Sequence, residues 1–121
     1  MRNITLLFLT ICFCGITSAF ASPTPSTYEG WGKVKAGALL IDVRTPKEFT
    51  AGHMEGAENI PHETIGNKIS ELTTDKSKDI VLYCQSGRRA GLAMNTLKSL
   101  GYEHVINAGG YDDIKKVSTL N

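Results

Sequence analysis

Four apolar runs, each followed by a polar or helical stretch, organise the chain from residue 38 onward. Two of them, at 38–43 ("ALLIDV") and 80–83 ("IVLY"), are continuous runs of the kind found in strands buried on both faces. Less apolar segments at 56–61 ("GAENIP") and 104–107 ("HVIN") predict two further short strands. Strands that alternate with helical patterns are typical of a parallel sheet. The pattern therefore predicts an α/β fold with a mainly parallel central sheet of about four to five strands, flanked by helices.

The segments between these runs carry helix signals. Thr45, Pro46 and Glu48 supply an N-cap, a proline at the first helical position and a glutamate at the third. They predict a short helix that ends before Gly52. The spacing of apolar residues predicts further helices over about 63–72, 90–100 and 112–116.

The first 21 residues form a separate region. Arg2 provides one positive charge, residues 4–16 are almost wholly apolar, and residues 19–21 give the small-x-small pattern that signal peptidase reads. The apolar run is too short for a comfortable membrane span. We expect a signal peptide cleaved after Ala21 and a periplasmic protein, with a flexible lead-in over 22–27 ("SPTPST") and a single domain over 28–121.

Composition limits the classes of partner. The chain has 13 basic and 12 acidic residues, and the predicted cleavage removes one arginine and no acid. Such a balanced charge argues against nucleic acid or a membrane surface as a partner. The sequence carries no signal for oligomeric state.

Cleavage would also remove two of the three cysteines and leave Cys84 as the only thiol, so no internal disulfide could form. In an oxidising compartment a lone thiol is exposed to mixed disulfides, which favours a functional role for Cys84. The alternative is a buried cysteine that acts as a small hydrophobic residue.

The cysteine loop, residues 84–89 ("CQSGRR"), joins a predicted strand to a predicted helix. Ligands of parallel sheets gather at the carboxyl ends of the strands, which is where Cys84 lies. The positive end of the helix dipole and nearby arginine charge favour the thiolate, which is the nucleophilic form. Backbone amides of the loop can curl around the sulfur as an anion site, and we expect them to come from Gln85, Ser86, Gly87, Arg88 and Arg89.

Three segments, in order, resemble the rhodaneses, which are thiosulfate sulfurtransferases. They are the cysteine loop, residues 42–61 ("DVRTPKEFTAGHMEGAENIP") and residues 101–110 ("GYEHVINAGG"). The single-domain, exported members of that family are the most similar in plan. The chain departs from many rhodaneses after its Gly-Gly pair, where their tryptophan-containing segment is replaced by "GGYDDIKKVSTLN".

The resemblance implies a rhodanese-like fold and a two-step sulfur transfer through Cys84. The thiolate takes the outer sulfur of thiosulfate, or of another sulfane-sulfur donor, and passes it from a persulfide to cyanide or a thiol. No metal or organic cofactor is implied, since the protein itself carries the sulfur. Arg89 occupies the family's substrate-arginine position, and Arg88 either shares that work or is a solvated helix residue. Gln85, Ser86 and Gly87 act through their backbone amides.

Four further residues are expected to support the site. Arg44 and Glu48 resemble the family's paired arginine and glutamate, and we interpret them as structural. Asp42 belongs either to the scaffold or to the site, and His53 corresponds to a scaffold histidine of the family.

Two other functions remain open from the sequence. Dual-specificity phosphatases and arsenate reductases also have a loop that begins with Cys and ends with Arg, but with five residues between them, because a tetrahedral oxyanion must fit inside. Here four residues separate Cys84 from Arg89. A sulfur carrier or binding module without turnover is the other alternative, although such modules frequently lack the cysteine.

Overall fold

The computed structural model describes residues 22–120, and its centre is a sheet of four strands in the order β2-β1-β3-β4, with every neighbouring pair parallel. This confirms the predicted α/β class and the parallel sheet. The predicted signal peptide lies outside the described residues. The strands are β1 (Leu39–Asp42), β2 (Glu58–Asn59), β3 (Ile80–Cys84) and β4 (Val105–Gly110).

Helices connect and cover these strands. The segment predicted as one helix over 63–72 is a short α-helix followed by a 3-10 turn at Ile69–Glu71, and the last helix is longer than predicted. No helix within residues 22–120 is long and apolar enough to cross a membrane. The helices are α1 (Pro25–Lys35), α2 (Pro46–Ala51), α3 (Ile65–Lys68), α4 (Arg88–Ser99) and α5 (Tyr111–Ser118).

The alternation of side chains along the strands divides the core into two layers. Ile41, Leu82 and Cys84 pack with the apolar residues of α3 and α4 on one face of the sheet. Val81 and Tyr83 point to the other face, where α1 and α5 cover them. β3 is buried at all five positions, so Cys84, its last residue, lies at the end of a fully buried strand.

The predicted flexible lead-in is wrong from Pro25 onward, because α1 begins there. Thr24 caps the helix, since its side chain accepts the amide hydrogen of Thr27 and the Thr27 side chain accepts the amide hydrogen of Thr24. The buried positions of α1 are Thr27 and Gly30, and Gly30 lies against Val81. The sequence hid this helix because its two buried positions are Thr27 and Gly30, so that only Trp31 and Val34 give the packing face an apolar signal.

Candidate active site

Cys84 is the last residue of β3, and its side chain is fully buried. Its Sγ accepts a hydrogen bond from the backbone N–H of Gly87 at 2.9 Å. Gly87 is also the N-cap of α4 and has φ +95°, in the left-handed region that favours glycine. The sulfur thus lies against one oriented amide, at the positive end of α4. The other four amides of the predicted ring make no hydrogen bond to Sγ within residues 22–120.

The end of β4 packs tightly against the cysteine loop. A Cβ added to Gly87 would lie 3.3 Å from the Cα of Gly109, and one added to Gly110 would overlap the carbonyl oxygen of Gln85. Side chains are therefore excluded where the two segments meet. This close approach explains the glycine at residue 110, whereas Gly109 has φ +91°, in the left-handed region that favours glycine.

Arg89 and Glu48 form a paired contact between α4 and α2. The guanidinium Nη1 and Nη2 atoms donate to Oε1 and Oε2 of Glu48 at 2.7 and 2.9 Å. This bond to Arg89, together with those to Thr45, lowers the pKa of Glu48 to about 2, and the carboxylate in turn raises the pKa of Arg89. The predicted pairing of Glu48 with Arg44 is wrong.

Arg44 is instead bound to Asp42 at the carboxyl end of β1. Both side chains are buried, and the guanidinium makes three hydrogen bonds of 2.7 to 3.0 Å to the carboxylate, which raise the pKa of Arg44. The remaining guanidinium hydrogens reach the Gly52 carbonyl at 2.6 Å and Gln85 Oε1 at 3.3 Å. Arg44 therefore ties β1 to the end of α2 and to the cysteine loop.

Tyr111, the first residue of α5, packs beside the candidate site, a role that the sequence did not predict. The Arg44 guanidinium carbon lies 4.7 Å from the centre of its ring, a cation-π contact. The ring also stacks on Tyr83 at 5.9 Å. In this chain a tyrosine directly follows the Gly-Gly pair and packs on the buried Arg44. The sequence signal for this role was the absence of the family's tryptophan after the Gly-Gly pair, which left Tyr111 as the aromatic residue there.

The remaining predicted residues are exposed or partly exposed. Gln85, Ser86 and Arg88 face solvent, and Arg88 makes no ion pair with any residue of the described part of the chain. His53 stacks on Phe49, with ring centres 3.6 Å apart, and its Nδ1 lies 2.8 Å from the Phe49 carbonyl oxygen. The sequence-predicted residues thus converge on one end of the sheet, with His53 held by its own helical segment.

The fold and the site together define a class of protein. In this class a cysteine is the last residue of a buried parallel strand and begins a short loop that leads into a helix. The sequence-family model of the rhodanese-like domain matches residues 27–117 of this chain. The chain therefore belongs to the rhodanese-like family of sulfurtransferases.

Curated relatives and solved structures agree with this assignment. Thiosulfate sulfurtransferase PspE of Escherichia coli is 42% identical over 74 residues, which cover 61% of this chain and 71% of the relative. A sulfurtransferase of Allochromatium vinosum is 39% identical over 72 residues, which cover 60% of this chain and 65% of the relative.

Two solved structures show the same fold at full domain scale. The human single-domain sulfurtransferase TSTD1 aligns with a TM-score of 0.66 at 29% identity, over 79% of this chain and 97% of that one. A rhodanese with anions from Escherichia coli aligns with a TM-score of 0.62 at 39% identity, over 64% of this chain and 91% of that one.

Proposed function

We propose that the protein is a thiosulfate sulfurtransferase that carries sulfur as a persulfide on Cys84. The observation that carries the proposal is the position of Sγ, which accepts the Gly87 amide hydrogen at the N-terminus of α4. This arrangement stabilises negative charge on sulfur, both as the thiolate before the reaction and as the persulfide after it. The relationship to PspE supports thiosulfate as the donor.

The proposed reaction consists of two nucleophilic displacements at sulfur. In the first, the Cys84 thiolate attacks the outer sulfur of thiosulfate, the S–S bond of thiosulfate breaks, and sulfite leaves with the bonding electron pair. In the second, cyanide or a thiolate attacks the outer sulfur of the persulfide. The new bond forms as the Cys84 S–S bond breaks, and the Cys84 thiolate is regenerated as the leaving group.

Charge around the loop favours Arg88 as the group that holds the anionic end of the donor. Arg44 and Arg89 are each neutralised by a carboxylate, from Asp42 and Glu48 respectively. Arg88, at the first position of α4, is exposed and has no ion pair within residues 22–120. An unneutralised cation beside a helix N-terminus suits a sulfonate group. Arg89 then holds α4 to α2 and lies next to the site.

The experiment that tests the function is mass spectrometry after incubation with thiosulfate. We expect the wild-type protein to gain one sulfur atom on the Cys84 peptide and the Cys84→Ser variant to gain none. The loaded wild-type protein should lose the added mass when cyanide is supplied, with release of thiocyanate. A wild-type protein that gains no sulfur would refute the proposal, and Cys84-dependent hydrolysis of an aryl phosphate would favour the oxyanion-enzyme alternative.

A further inference from the structure

The side chain of Asn107, in β4, connects its own strand to the cysteine loop. Its Nδ2 donates to the carbonyl oxygen of Gly87 at 2.9 Å, and its Oδ1 accepts the backbone N–H of Gly109 at 2.9 Å. One amide group thus fixes both segments that meet at the glycine contact. Asn107 lies 20 residues from Gly87 in the chain, so no local pattern links them.

The Gly87 residue needs such an external contact because its own conformation is weakly fixed. Glycine populates positive and negative φ with similar ease, so a φ of +95° is maintained by its surroundings. Its carbonyl oxygen is held by Asn107 and by the Gly91 amide at 3.0 Å, while its N–H points at Cys84 Sγ. The N–H and the carbonyl of Gly87 belong to two adjacent peptide units that are joined at its Cα, so a carbonyl fixed on both sides restricts the orientations open to the N–H.

We propose that Asn107 is a positioning residue that aims the Gly87 amide at Cys84 and thereby sustains the thiolate. This inference rests on the proposed role of Cys84 as nucleophile, but it concerns the ionisation of the thiol and can be measured without any sulfur transfer. Asn107 acts through Gly87 and does not touch the sulfur.

The test is the rate at which iodoacetamide alkylates Cys84, followed on the Cys84 peptide by mass spectrometry between pH 5 and pH 10. We expect Asn107→Leu, which keeps the branched outline of the side chain, and Asn107→Ala to react about tenfold more slowly than wild type at neutral pH, because a hydrogen bond to a charged acceptor is lost. At high pH, where the thiol is ionised in every variant, the rates should converge.

This pH profile separates positioning from a merely structural role. Cys84 is fully buried, so general loosening of the fold would expose it and speed alkylation at every pH. Alkylation by the Asn107 variants that is unchanged, or faster at every pH, would overturn the inference. The charged groups at or near the loop stay the same in both variants. They are Asp42 at the end of β1, Arg44 after it, Glu48 of α2, Arg88 and Arg89 of α4, and Asp113 of α5.

Asn59 offers a matched control. Its Nδ2 also donates to backbone carbonyls, those of Asp42 and Arg44, each at 3.0 Å, but it makes no contact with the cysteine loop. We expect Asn59→Ala to keep the wild-type alkylation profile, and a shift equal to that of Asn107→Ala would refute a specific role. If the wild-type protein takes up no sulfur while the Asn107 variants show the expected profile, the proposed function fails and the positioning role stands.

Discussion

At the scale of single residues, the pairing of charges decides which cation can meet an anionic donor. We expect Arg88→Ala to raise the KM for thiosulfate by roughly threefold to tenfold with a smaller effect on kcat. It removes from the first turn of α4 an exposed cation that has no ion pair in the described part of the chain. Steady-state kinetics would measure both constants. Lys98→Ala is the control, since it removes the same charge from the last turn of the same helix. An unchanged KM in Arg88→Ala, together with a raised KM in Arg89→Ala, would return the role to Arg89.

Also at the scale of single residues, we expect the ionisation of Glu48 to make the free energy of unfolding depend on pH. Because its pKa is lowered from 4.5 to about 2, its contribution to folding is complete above about pH 4.5 and is lost as the pH falls toward 2. We expect the difference in unfolding free energy between wild type and Glu48→Gln to shrink across that window, as measured by urea denaturation. Glu55→Gln, the same substitution at an exposed position with no ion pair in residues 22–120, is the control. If the difference in unfolding free energy between wild type and Glu48→Gln stayed constant from pH 7 to pH 2, the lowered pKa of Glu48 would be contradicted.

At the scale of elements, the junction between β3 and α4 depends on the backbone of Gly87. Gly87→Ala would place a side chain at φ +95° and 3.3 Å from the Cα of Gly109, so we expect a loss of about 1–2 kcal/mol in unfolding free energy and loss of sulfur loading. Gly37→Ala is the control, because Gly37 has φ +106° and, among residues 22–120, no atom lies within 4 Å of the added Cβ. It should lose about 1 kcal/mol and load sulfur normally. Normal loading by Gly87→Ala would show that the loop tolerates a different backbone.

The element scale also shows what the sequence could and could not predict. The start of α2 was predictable because Thr45, Pro46 and Glu48 act on adjacent backbone groups. The partner of Glu48 was not, since Arg89 lies 41 residues away and only the packing of α4 beside α2 brings them together. Helix α1 was missed because Gly30 packs through the absence of a side chain, which no apolar pattern records.

At the scale of the whole molecule, the buried pair of Asp42 and Arg44 joins parts of the chain that are distant in sequence. Asp42→Ala would leave the Arg44 guanidinium buried without its carboxylate, so we expect a loss of about 3–5 kcal/mol in unfolding free energy. Urea denaturation at neutral pH would measure it. Glu71→Ala, which removes the carboxylate of the exposed pair with Lys68, should cost less than about 1 kcal/mol. Equal losses in the two variants would show that the buried pair does not hold the fold together.

The complete burial of Cys84 has a consequence for how far the reactive atom can reach. In the structure the Cys84 side chain has no exposed surface, so its Sγ is shielded from solvent. In the proposed persulfide, the outer sulfur would lie one S–S bond, about 2 Å, beyond Sγ. The cargo therefore acts as an extension of the side chain. In the proposed cycle, the same cysteine would be shielded before loading and would present its outer sulfur after loading.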